Sequence, residues 1–111
     1  MKRDYKFYLN DIRGSIKQIE EYMNGVSEEN FKKDKKLQDA VIRRLEIIGE
    51  ASRNIPRALK EKNKHIPWFN MSEFRNFIIH GYFEVSLDRI WRTFKKDLPE
   101  IKEAINNVSL I

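Results

Sequence analysis

The chain has 111 residues, 22 Lys and Arg against 17 Asp and Glu, and no cysteine. This length fits a single domain, 1–111, and the absence of thiols excludes a disulfide framework and a cysteine metal site. No wholly apolar run is long enough for a membrane span, and the first residues are too charged for a secretion signal, so a cytoplasmic protein is expected. With only 4 Gly and 3 Pro, turn residues are sparse, which favours a few long helices.

The first predicted helix covers about residues 3–24 and ends before Gly25, a residue type that suits a helix stop. Gly14 lies inside it, where we expect close packing against another helix. One apolar stripe at helical spacing defines its buried face: Tyr5, Leu9, Ile12, Ile16, Ile19 and Met23.

A second helix follows, with Ser27 or Asn30 as candidate caps. Gly49 lies beside its stripe, where a small residue allows another backbone to approach. Because proline cannot donate to the helical ladder, Pro56 predicts a break near residues 54–56, followed by a short helix to about 62 and a loop at 63–67. The stripe is formed by Leu37, Val41, Leu45, Ile48, Ser52, Ile55 and Leu59.

A third helix is predicted to open at Asn70, which with Glu73 resembles a capping box, and to end near His80 with Gly81 as its cap. The fourth begins at Ser86, and Pro99 should kink it. Its stripe is formed by Leu87, Trp91, Phe94, Leu98, Ile101 and Ile105. The predicted fold is all-α, an antiparallel bundle of four to five helices.

The positive charge is concentrated in residues 31–65, which hold 11 Lys and Arg against 5 Asp and Glu. Such a concentration suits a phosphate backbone, although a solvated helix face would show the same composition. The candidate RNA-binding residues form two groups at the ends of the second helix: Lys32, Lys33, Lys35 and Lys36 at its start, and Arg53 and Arg57 at its end.

Arg75, Asn76, His80 and Tyr82 interrupt an apolar run that would otherwise be core. Imidazole can take a proton from a ribose 2′-OH, and guanidinium can bind phosphate oxygens as charge builds on them, so this set suits RNA cleavage without a metal. Residues 75 and 80 lie about 140° apart around a helix, whereas 76 and 80 share a face. Either the last turn unwinds or two chains share one cleft.

Ordinary structural roles are also open for these residues. A histidine before glycine is commonly a helix cap, and an arginine in a helix commonly pairs with an acid, here Glu73 or Glu84. His65, in a lysine-rich loop, is expected to be solvated.

The segment Arg75-Asn76-x-x-x-His80-x-Tyr82 resembles the Arg-x4–6-His motif of HEPN domains, with the tyrosine of the HepT-like branch. Three further segments resemble that family and extend the match to nearly the whole chain. They are Ile47-Ile48-Gly49-Glu50-Ala51, Ile66-Pro67-Trp68, and Asp88-Arg89-Ile90-Trp91 with Asp97-Leu98-Pro99.

The resemblance implies a homodimeric, metal-independent endoribonuclease without cofactors, the toxin of a two-gene toxin–antitoxin module. Arg75 and His80 match the catalytic pair at a dimer-interface cleft, and Asn76 matches the polar position beside the arginine. Tyr82 matches the tyrosine that a minimal nucleotidyltransferase antitoxin modifies with AMP. A non-catalytic module that binds RNA, a nucleotide or the nucleotidyltransferase is the main alternative, and a plain dimerisation bundle is another.

Overall fold

The computed structural model describes residues 4–80 and 86–110, with only the backbone of Phe77, Ile79 and His80. All regular elements within these residues are helical. In chain order they are α1 (Tyr5–Met23), α2 (Glu28–Lys33), α3 (Lys35–Arg53), α4 (Arg57–Lys62), α5 (Trp68–His80), α6 (Leu87–Arg92), a π-helical turn (Thr93–Asp97) and α7 (Leu98–Asn106). The all-α prediction is confirmed for this part of the chain.

Polar side chains cap four of the helix starts. Asp4, Ser27, Asp34 and Ser86 each accept a hydrogen bond from a backbone N–H of the first turn, which satisfies a donor that has no partner within the helix. Ser27 therefore caps a separate short helix. The predicted second helix is divided at Asp34, whose carboxylate starts α3 by accepting from Leu37 N at 3.0 Å.

Helix α5 begins at Trp68, two residues before the predicted start, so the prediction that Asn70 caps it is wrong. The Pro67 carbonyl accepts the first helical hydrogen bond, from Met71 N at 3.0 Å. The predicted break at Pro56 is confirmed, because α3 ends at Arg53 and α4 begins at Arg57. Gly25 has φ 74°, as its role after α1 requires. The predicted cap Gly81 lies outside the described residues.

The predicted apolar stripes of α1 and α3 form one continuous core with Met71, Phe74 and Ile78 of α5. Helix α3 is central, because it packs against both α1 and α5. Helices α1 and α7 run antiparallel, since Arg13 hydrogen-bonds the Ile105 carbonyl (3.3 Å) while Glu20 pairs with Lys102 (3.0 Å). No helix in the described part of the chain is both long and apolar enough to cross a bilayer.

The π-helical turn shifts the buried face of the last helix. In α6 and at the start of the turn, the buried residues are Ile90 and Thr93, whereas the predicted Leu87, Trp91 and Phe94 are half-buried. Leu98 N bonds to the Thr93 carbonyl, five residues back, so one extra residue enters the turn. The predicted stripe is therefore correct only from Leu98 onward, and the irregularity expected at Pro99 lies just before it.

Asn63 is fully buried and ties three segments together. Its Nδ2 donates to the carbonyls of Leu59 (2.9 Å) and Ser109 (2.7 Å), and its Oδ1 accepts from Ser109 N (2.7 Å). The Trp68 indole donates to the Asn63 carbonyl at 3.1 Å. The end of α4, the start of α5 and the C-terminal segment are thereby fixed to one another.

We expect Asn63→Ala to destabilise the protein by about 2 kcal/mol, because it removes a buried side chain and both hydrogen bonds that tie it to the Ser109 backbone. Chemical denaturation would measure the change. Asn107→Ala is the matched control: Asn107 also follows a helix and bonds the carbonyl four residues back, but it is exposed. Equal losses in the two variants would contradict the role assigned to the buried network.

Candidate active site

Arg75 lies in the middle of α5 and faces α3. Its Nε forms an ion pair with Glu50 Oε2 at 2.5 Å, and its side chain remains 34% exposed. The sequence predicts Glu73 or Glu84 as the acidic partner of Arg75. Glu73 instead accepts a hydrogen bond from Asn76 Nδ2 at 3.1 Å, and Glu84 lies outside the described residues. Glu50 is therefore a site residue that the sequence reasoning missed.

Gly49 brings the two helices together at this point. A Cβ built on Gly49 would lie 2.7 Å from Arg75 N, 3.0 Å from Arg75 Cβ and 3.2 Å from the Met71 carbonyl oxygen. The prediction that Gly49 admits another backbone is confirmed, and the backbone is that of Arg75. Consecutive residues of α3 thus hold the arginine, Gly49 at its backbone and Glu50 at its guanidinium.

Asn76 and His80 lie one turn apart in α5, and His80 is its last residue. Helical backbone continues from residue 76 to residue 80, which supports the prediction that these two positions share a face. Tyr82, the predicted modification site, lies outside the described residues. His65 is exposed in the turn before α5, as expected.

The two predicted basic groups lie at opposite ends of α3. Lys35 and Arg53 are its first and last residues, and 19 helical residues span about 27 Å. Glu50 lies one turn before Arg53, so the arginine pair is at the Arg75 end of α3 and the four lysines are at the far end. The sequence placed both groups on one helix but could not tell which is near Arg75.

Several of the basic side chains already have acidic partners. Lys33 pairs with Glu29 (3.1 Å) and Arg57 with Glu61 (3.0 Å). Lys32 pairs with Asp88 of α6 at 2.5 Å; this hydrogen bond raises the pKa of Lys32 and lowers that of Asp88. These ion pairs neutralise part of the positive charge expected from the sequence.

Lys60 lies close to Arg53 at the Arg75 end of α3. Burial lowers the pKa of Lys60, and the positive charge of Arg53 lowers it further. Two neighbouring cations repel each other, and an anion bound beside them would relieve that repulsion. Lys60 and Arg53 thus form a positively charged pair at the end of α3 that is nearer to Arg75.

Glu50 also borders a groove of about 170 Å³ between α1 and α3. Acidic side chains dominate its polar lining, so the groove does not suit phosphate. No group of three or more potential metal ligands was found within residues 4–80 and 86–110. The groove residues nearest to Glu50 in the sequence are Glu46, Ile47, Ala51 and Asn54.

Comparison with known proteins identifies the family to which this chain is similar. A family model described as "Ribonuclease HepT-like" matches residues 12–108. The chain is 49% identical over 102 residues to "Probable ribonuclease HepT" of Thermococcus cleftensis, covering 92% of this chain and 93% of that protein. It is 38% identical to a "Putative RNase" of Caldanaerobacter subterraneus, covering 91% of this chain and 90% of that protein. No solved structure matches.

A further relative is longer. "Gamma-glutamylcyclotransferase and putative RNase" of Methanocaldococcus jannaschii is 50% identical over 105 residues, which is 95% of this chain but 47% of that protein. The chain thus spans about half the length of this relative. The family match includes Gly49, Glu50, Arg75 and His80, the positions that the α3–α5 contact and the motif single out. The chain belongs to the HepT-like ribonuclease family.

Proposed function

We propose that the protein is a metal-independent endoribonuclease toxin that cleaves RNA by attack of a ribose 2′-OH. The observation that carries this proposal is the Arg75 guanidinium, which is anchored through Nε and remains one-third exposed in a helix that ends at His80. Phosphate-centred chemistry needs a fixed, accessible guanidinium and an imidazole that can transfer a proton. Membership of a ribonuclease family gives RNA as the substrate.

In the proposed reaction, the His80 imidazole takes the proton of the 2′-OH as its oxygen attacks the phosphorus. The bond to the 5′-oxygen breaks, that oxygen receives a proton from an imidazolium, and a 2′,3′-cyclic phosphate remains. Arg75 stabilises the negative charge that builds on the phosphate oxygens. Asn76 orients His80 or the substrate. DNA lacks the nucleophile and is not cleaved.

We propose that the active unit is a homodimer with the cleft at its interface. One chain does not obviously bring positions 75 and 80 of one helix to the same point, because they lie about 140° apart around its axis. Phe69, on the same helix, is 72% exposed and offers apolar surface to a second chain. Residues from both subunits would then complete each site.

We further propose that a cognate minimal nucleotidyltransferase acts as the antitoxin by attaching AMP to Tyr82. This tyrosine is two positions after His80, so the added phosphate would bring negative charge close to the catalytic residues. Charge repulsion and bulk would then exclude RNA. The support is the family and the position of the tyrosine in the motif.

The test is cleavage of RNA by the purified protein in excess EDTA. We expect products with 2′,3′-cyclic phosphate ends, and no products from DNA of the same sequence. Cleavage that stops in EDTA and returns with Mg²⁺ would overturn metal independence. Binding of RNA without any turnover would favour the non-catalytic binding module instead.

The basic residues give a separate prediction. With a substrate of three nucleotides, we expect Arg53→Ala to raise KM about fivefold. The slope of log KM against log salt concentration should become shallower by about 0.7, as the loss of one phosphate contact requires. Lys35→Ala, the matched control about 22 Å along α3 from Glu50, should change neither. Longer RNA should become sensitive to Lys32, Lys33, Lys35 and Lys36. Equal effects of Arg53→Ala and Lys35→Ala on the short substrate would contradict the proposal that only the Arg53 end of α3 contacts it.

A further inference from the structure

We propose that Glu50 is a positioning residue for Arg75, which it holds with the terminal guanidinium nitrogens directed to the substrate phosphate. This inference rests on the proposed ribonuclease function. The ion pair is at Nε, so the carboxylate lies on one side of the guanidinium. Arginine has five N–H donors, and because the carboxylate lies beside Nε, we assign the four donors of Nη1 and Nη2 to the phosphate oxygens.

Gly49, the residue before Glu50, provides a second contact with Arg75. Gly49 lets α3 approach the Arg75 backbone so closely that the next residue, Glu50, reaches the guanidinium of the same arginine. The long arginine side chain is therefore fixed at both ends by a rigid helix. Its loss of rotamer freedom occurs on folding rather than on substrate binding, which is how preorganised groups accelerate reactions.

A purely stabilising role does not account for the pair. Side-chain exposures are 34% for Arg75 and 54% for Glu50, and ion pairs this exposed contribute little to stability. Glu50 also places a negative charge next to the proposed phosphate site, which weakens RNA binding. A carboxylate that adds little stability and opposes binding is better explained by the orientation it imposes on Arg75.

The test separates binding from the chemical step. With a single-linkage RNA substrate, we expect Glu50→Gln to lower kcat about tenfold, because Arg75 loses its orientation, and to lower KM about twofold to threefold, because one negative charge is removed. The midpoint of thermal unfolding should stay within a few degrees of wild type. Glu50→Asp, which keeps the carboxylate, should restore part of kcat.

Glu46→Gln is the matched control. Glu46 lies one turn earlier on α3 and pairs with Arg43 at 2.7 Å, so the variant removes the same charge without touching Arg75. It should lower KM in the same way and leave kcat unchanged. The inference is overturned if Glu50→Gln and Glu46→Gln have the same kcat, or if Glu50→Gln loses activity only through unfolding and Glu50→Asp restores none.

Arg75→Ala separates failure of this inference from failure of the proposed function. If Arg75→Ala cleaves RNA as fast as wild type, the proposed ribonuclease site is wrong. If Arg75→Ala is inactive while Glu50→Gln keeps full kcat, only the positioning role of Glu50 fails.

Discussion

His80→Ala is expected to lower the rate of RNA cleavage by about 10²–10⁴-fold, because the variant removes the group that moves the proton of the 2′-OH and of the leaving oxygen. His80 is the last residue of α5, so the substitution removes no core side chain from the middle of that helix. The measurement is single-turnover cleavage at saturating enzyme, which gives the rate constant of the chemical step without interference from substrate binding or product release.

The second histidine of the chain provides the control. His65 is exposed in the turn between α4 and α5, so His65→Ala should cleave RNA at the wild-type rate. A His80→Ala variant that cuts as well as wild type would show that the assigned roles are wrong. In cells, wild-type protein should arrest growth and degrade RNA, whereas His80→Ala should do neither.

Gly49→Ala is expected to destabilise the protein by about 3 kcal/mol, at the upper end of the range for added core atoms. The new Cβ would lie 2.7 Å from a backbone nitrogen of α5, and neither helix can yield locally without disturbing the core between them. Denaturant titration would measure the loss. Because the clash is with Arg75 itself, the folded fraction should also cleave RNA more slowly.

Gly14 is the matched control for this substitution. It lies inside α1, and a Cβ built there meets nothing within 4 Å, so the expectation of close helix packing at this glycine is wrong. Gly14→Ala should therefore stabilise the protein by about 0.5–1 kcal/mol through helix propensity alone. If both glycine variants were stabilised, the close approach of α3 and α5 would be contradicted.

The local part of the fold could be predicted from the sequence. Apolar spacing located the long helices and their buried faces, and Pro56, Gly25 and Ser86 marked where elements stop or start. Each of these signals involves only residues that are close in sequence, so it can be recognised without knowledge of the tertiary structure. The helix start at Asp34 was not predicted, because the lysines on either side of it are good helix formers and mark no boundary.

The features that depend on register between elements could not be predicted in this way. The sequence places Arg75 near Glu73, whereas its partner Glu50 lies 25 positions earlier and meets it only through the α3–α5 contact. Glu50 stood within a segment that resembles the family, which was the available signal. The π-helical turn was hidden because the stripe from Leu87 to Ile105 satisfies regular helical spacing, and only packing shows the extra residue.

The contact of Gly49 and Glu50 with one arginine has an evolutionary consequence. Sequence drift at these three codons cannot be independent, since a bulkier residue at 49 displaces the arginine and an uncharged residue at 50 releases it. In a homologue that has lost Arg75, neither a small residue at 49 nor a carboxylate at 50 is required. Among homologues, relaxed variation at 49 and 50 should therefore mark the lineages in which this arginine has been lost.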